Sequence, residues 1–200
     1  MSDADIIAKL AKPGAGLPFV EGMIVRWWVG PVLSKKNTWD ENKLRFEKTT
    51  QSLLKLIEGL DEAQLATRVL VPPQQGLEDS SRYWSAAMLF EHLVIVGEKV
   101  KGGILALSKG IVPVAKADTA SVKPTSQPTA AEAIAGYRKF SSTVMDDLDK
   151  GVKDKDSKAT FPHPWMGPLN CRQWHWLLAA HQGIHLRQLR EIVKGLSAPK

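Results

Sequence analysis

The sequence predicts an all-α chain framed as a four-helix bundle, and three observations predict it. Apolar residues recur at helical spacing along almost the whole chain. No run of alternating β-branched residues is long enough to make a sheet. Four stretches of about 20 residues read as long helices, and a bundle is the economical way to bury four of them. With 200 residues the chain can bury a core without disulfide or metal staples, so one bundle domain over residues 39–200 is expected. Residues 1–38 read as an N-terminal extension on it.

In chain order, the extension carries WWVGPV, two adjacent tryptophans before a Gly-Pro stop, expected to pack over the bundle as a short helix or lid. The first long helix runs from Trp39 to Leu60, with Leu44, Leu53, Leu54 and Ile57 at helical spacing and Gly59 near its end. Asp61 caps a short turn, DEAQLATRV. A second helix starts between Ser81 and Ser85 and continues through AAMLFEHLVIVGEKVKGGILAL, so apolar that it belongs deep in the core. The third starts at Thr129, where Glu132 completes a capping box, and runs to Lys150. Asn170 and Gln173 make a similar start for the fourth, which ends near Gly195. The connections 69–80, 109–128 and 151–169 are rich in Pro, Ser, Lys and Asp and exceed what antiparallel neighbours need. They favour a bundle with crossovers and leave loops to roof one end, where a site would sit.

Composition narrows the function classes. The single cysteine, Cys171, excludes an intrachain disulfide, and the opening MSDADIIAKLAKPGAG lacks the basic-then-apolar pattern of a secretory signal. A cytoplasmic location is expected. No apolar run approaches the roughly 18 residues of a membrane span. The net charge of +6 is spread among acids, as in KGVKDKDSK, and no basic-aromatic stripe is present, so neither nucleic acid nor membrane is expected as a partner.

The chemistry concentrates in HQGIHLRQLREI, residues 181–192. At 100° per residue, His181 and His185 fall near the centre of the face shared by Trp174, Leu178, Leu189 and Ile192, while Arg172, Arg187, Arg190 and Lys194 take the other side. The i, i+4 spacing sets two imidazoles side by side, the arrangement by which one helix offers two ligands to one metal. A third ligand should come from a core-facing position on another helix, and His92, in LFEHLVIV with Ser85, Leu89 and Val96, is the candidate. The alternative is three core histidines bonded to backbone or to one another.

The remaining polar residues rank lower. His175 lies about 100° from Trp174 and is expected at the surface or an interface. His163, in FPHPWMGP, is either a solvated loop residue or a substrate contact or acid–base group at the bundle mouth. Cys171, at a helix N-terminus where the dipole can lower a thiol pKa, is about 15 Å of helix from His181 and is read as structural. Trp84, Trp165, Met166 and Trp174 are expected as core or pocket wall. No carboxylate stands on the metal face. A ferritin-like di-iron site is excluded, because paired inward Glu-x-x-His motifs are absent.

YWSAAMLFEHL, followed by HPWMGPLNCRQWHWLLAAHQGIHLRQL, resembles the DinB/YfiT-like superfamily of metal-dependent proteins, over residues 40–195. The resemblance implies an up-down-down-up bundle, often a homodimer, with a divalent metal on three histidines, here His92, His181 and His185. It implies an enzyme acting on a small-molecule substrate, because characterised members include hydrolase-like proteins and transferases that use low-molecular-weight thiols. Zinc, nickel, iron and manganese all suit imidazole ligands. The competing class is a noncatalytic metal- or ligand-binding or interaction protein of the same fold.

Overall fold

Side-chain caps set where the helices begin. The computed structural model describes residues 2–114 and 116–197. Ser2 opens α1 (Asp3–Ile7), and Pro18 precedes α2 (Phe19–Ile24), which continues as a π-helical turn over Val25–Val29. Thr38 and Glu41 exchange hydrogen bonds at the start of α3 (Trp39–Leu56), and Asp61 and Gln64 do so for the short α4 (Glu62–Ala66). The Ser85 hydroxyl accepts from the Met88 N–H to open α5 (Ala86–Leu107). Thr129 with Glu132 opens α6 (Ala130–Gly151), and Asn170 with Gln173 opens α7 (Cys171–Leu196). Each such cap satisfies amides that the first turn leaves without partners and contributes about 1 kcal/mol.

Contacts between the four long helices fix their directions. Trp39 stacks on His175 and Thr50 reaches Gln182, so α3 and α7 run parallel. Cys171 meets Ile104 while His181 meets His92, so α5 opposes α7. Phe90 packs on Tyr137 and Lys101 reaches Asp147, so α6 runs with α5. The order is up-down-down-up, as expected. Phe46, Leu53, Leu89, Phe90, Ile104, Leu107, Tyr137, Leu148, Leu189 and Ile192 are fully buried between the helices. Each large apolar side chain so buried contributes about 1.5–3 kcal/mol. Leu44 does not join them: it is 49% exposed. Helix α3 also ends at Leu56, short of Leu60, because Gly59 adopts φ +82° in the turn that reverses the chain.

Two small sheets were not anticipated. Strand β1 (Val69–Leu70) pairs antiparallel with β2 (Tyr83–Trp84), and β3 (Thr160–His163) with β4 (Gly167–Asn170). In the second hairpin Pro162 faces Pro168, so that pair contributes no amide donor to the ladder. Packing holds it instead: Leu169 is fully buried, and the Trp174 indole donates to the Phe161 carbonyl at 3.1 Å.

Because α5 and α6 are parallel, residues 108–129 must return the length of the bundle. Glu91, well away from His92 on the helical wheel, is buried and anchors this crossover, accepting from the Thr125 hydroxyl, the Thr125 N–H (2.9 Å) and the Ser126 N–H (3.0 Å). The N-terminal segment straps the roof loops. The Ala11 N–H donates to Asp79 (2.7 Å), the Gly16 N–H to Glu78 (3.0 Å) and the Gly76 N–H to Glu21. Gly30 lies against the β3–β4 turn so closely that a Cβ there would stand 2.6 Å from the Met166 carbonyl oxygen. Trp27 and Trp28, expected to pack over the bundle, are instead 75% and 53% exposed.

Candidate metal centre

Antiparallel packing of α5 on α7 brings His92 opposite His181 and His185, one turn apart. Their Nε2 atoms converge: His181 lies 3.3 Å from His92 and 3.2 Å from His185. One ligand atom from each ring falls within 4.8 Å of the others, a grouping that could hold a metal ion. Two imidazole nitrogens bound tetrahedrally to one ion at 2.0–2.1 Å stand about 3.4 Å apart, so the spacing fits.

The outer nitrogens fix the tautomers. His92 Nδ1 is 2.7 Å from the Val122 carbonyl, which can only accept, so the proton sits on Nδ1. Gln188 donates its amide to the Ser81 carbonyl at 2.7 Å, which turns its oxygen toward His185 Nδ1 at 2.8 Å. His185 therefore also carries its proton on Nδ1. Two Nε2 lone pairs then face a third nitrogen that holds at most one hydrogen. This donor set suits a cation better than it suits mutual hydrogen bonding.

Burial keeps the rings neutral, the form that binds metal. His92 is buried, and His181 half-buried. Both are held well below the ordinary histidine value, by burial first and then by the neighbouring rings, chiefly His185. Burial lowers His185 to about 4. Trp84 walls the site, its ring 5.0 Å from His92 and nearly parallel to His185 at 6.0 Å. Lys123 stands 5.5 Å over the same indole. Its charge is committed to Glu78, with Ser80 and Ser81 as further acceptors at 2.8 and 2.7 Å. Burial opposes ionisation of Glu78, but Lys123 and the Gly16 N–H outweigh it and hold the carboxyl below its ordinary value.

His163 lies on β3 outside the cluster, yet near enough that its charge weighs on His181. Its Nδ1 accepts from the Trp165 and Met166 amides at 3.2 and 3.3 Å, leaving the proton on Nε2. It is half-buried on the strand and not a solvated loop residue, and burial lowers it to about 4. His175 is not at the surface either. It is fully buried, stacked on Trp39 at 3.6 Å, with both ring nitrogens unpartnered among the described residues. The wheel reading failed because α7 buries two faces, one against α5 and one against α3. Cys171 is fully buried, and burial pushes its thiol up to about 11, overriding the helix dipole.

The residues that orient the imidazoles, Gln188, Ser81 and the Val122 carbonyl, were not read from the sequence. Gln188 did leave a signal, standing three residues after His185 on the same side of the helix. Glu78 and Lys123 left none, because they meet only when two distant loops fold together.

No curated protein matches the chain. Among solved structures, it is similar to the crystal structure of TT2238, a four-helix bundle protein, at 25% identity and a TM-score of 0.53, over 76% of this chain and 98% of that one. The DinB superfamily matches residues 45–189, a span that contains all three converging histidines. By that match, the chain belongs to the DinB superfamily.

Proposed function

We propose that this bundle domain, residues 39–200 with 1–38 as an extension, is a metal-dependent enzyme whose divalent ion is held by His92, His181 and His185. The observation that supports it is the convergence of three Nε2 atoms, two with their lone pairs fixed inward by Val122 and Gln188. An ion there would act as a Lewis acid that makes water or a low-molecular-weight thiol nucleophilic at neutral pH. The chain's own residues do the rest. Trp84 shields one side of the site from water, and His163 offers an Nε2–H to an oxygen of a small-molecule substrate. With Glu78 committed to Lys123, no carboxylate joins the histidine group among the described residues, which favours chemistry needing no separate base. Hydrolysis and thiol transfer both meet that requirement. A cytoplasmic homodimer is part of the same proposal.

Elemental analysis of tag-free protein tests it. About one zinc, nickel, iron or manganese per chain is expected. That metal should be lost in His92→Ala, His181→Ala and His185→Ala and kept in His175→Ala. Equal metal content in all four variants would overturn the proposal. Metal present without hydrolysis or thiol transfer would leave a binding protein.

A further inference from the structure

Helix α2 and its π-helical continuation present an apolar face that nothing among the described residues covers. Phe19 (79%), Val20 (63%), Met23 (42%), Ile24 (49%), Trp27 (75%) and Trp28 (53%) all point outward. Glu21, Gly22, Val25 and Val29 form the inner side. The π turn matters here: it lowers the angle per residue and keeps the tryptophan pair on the side of Phe19. A contiguous patch of this kind on a single chain marks an interaction surface.

The charge beside it selects the partner. From Phe19 to Asn37 the chain carries Arg26, Lys35 and Lys36 against one acid. That acid, Glu21, is turned inward onto the Gly76 amide. Lys35 and Lys36 are exposed and stand three and four residues after Val32, itself 42% exposed. Two copies meeting face to face about a two-fold axis would bring these basic residues together and repel. A short helix with bulky aromatics on one face and basic neighbours matches a different surface: its rings seat at the headgroup level while the cations meet anionic lipid. No helix among the described residues is long and apolar enough to cross a membrane, so the contact is one of lying on the bilayer.

We propose that α2 with its π-helical turn docks this protein on an anionic lipid surface. The proposal goes beyond the metal chemistry and departs from the sequence-based expectation of no membrane partner. That expectation averaged the basic residues over the whole chain and missed the apolar face beside them.

Flotation of the full chain with vesicles tests it. Wild type should float with phosphatidylcholine vesicles containing about one-third phosphatidylserine at about 0.1 M salt, and not with phosphatidylcholine alone. Trp27→Ser/Trp28→Ser should reduce binding about tenfold or more, since it removes the two largest exposed rings. Lys35→Ala/Lys36→Ala should weaken binding and flatten its dependence on salt. All four side chains are exposed, so circular dichroism and metal content should stay at wild-type values, which separates this proposal from the metal reading. Wild type failing to float, or floating equally with both lipids, overturns it. So does a wild-type dimer that Trp27→Ser/Trp28→Ser dissolves while vesicles bind neither protein, because the face would then belong to a second copy.

Discussion

His185 owes its ring orientation to a residue three positions away. Without Gln188 its ring could carry the proton on either nitrogen, and the Nε2 lone pair would no longer be fixed toward His181. Gln188→Ala is expected to weaken metal binding about 10–100-fold with the fold retained, measured by metal titration against a competing chelator. Acid acts on the same scale. Burial holds His163, His175 and His185 near 4 when folded, below the ordinary 6.5. Between those values the unfolded chain binds protons that the folded one refuses, so the fold is favoured least at the acid end. The urea midpoint of metal-free protein should therefore be flat above about pH 7 and fall steadily toward pH 4. The three converging histidines were legible because a charged or polar ring at the centre of an apolar helical face needs a partner. The buried His175 was not, since a wheel shows one helix and cannot show that Trp39 arrives from another to cover it.

Among the elements, α5 and α6 meet where Gly97 lies under the Phe140 ring. A Cβ at Gly97 would collide with that ring, so Gly97→Ala should destabilise the protein by about 1–3 kcal/mol, visible as a lowered thermal midpoint. Helix starts were readable because caps are local: Thr129, Asn170 and Ser85 sit within three residues of the amides they serve. The hairpins were not. TFPH and GPLN contain a proline each and show no alternation, and their pairing depends on Trp174 and on a buried Leu169, neither of which leaves a local mark. Glu91 escaped for a related reason. Its partners, Thr125 and Ser126, belong to a crossover whose path follows from the parallel order of α5 and α6.

For the molecule as a whole, the site ties together parts that are far apart in sequence. His92 and His185 come from two helices, and the carbonyls behind them, Val122 and, through Gln188, Ser81, come from two roof loops, the second strapped through Glu78 by the N-terminal segment. An ion that binds only this assembled state stabilises it by mass action, about 2.7 kcal/mol at a hundredfold excess over Kd. Chelation should accordingly lower the thermal midpoint by about 5–10 °C for a chain of this size, read by calorimetry with and without metal. The separation of 89 positions between His92 and His181 carries one more consequence. Closing so long a loop is slow and must precede any gain from the third ligand. On the unfolded chain a metal meets only the i, i+4 pair of a helix that has yet to form. An ion bound there would therefore lengthen the lifetime of the finished fold, by slowing its opening, and do little to hasten its making.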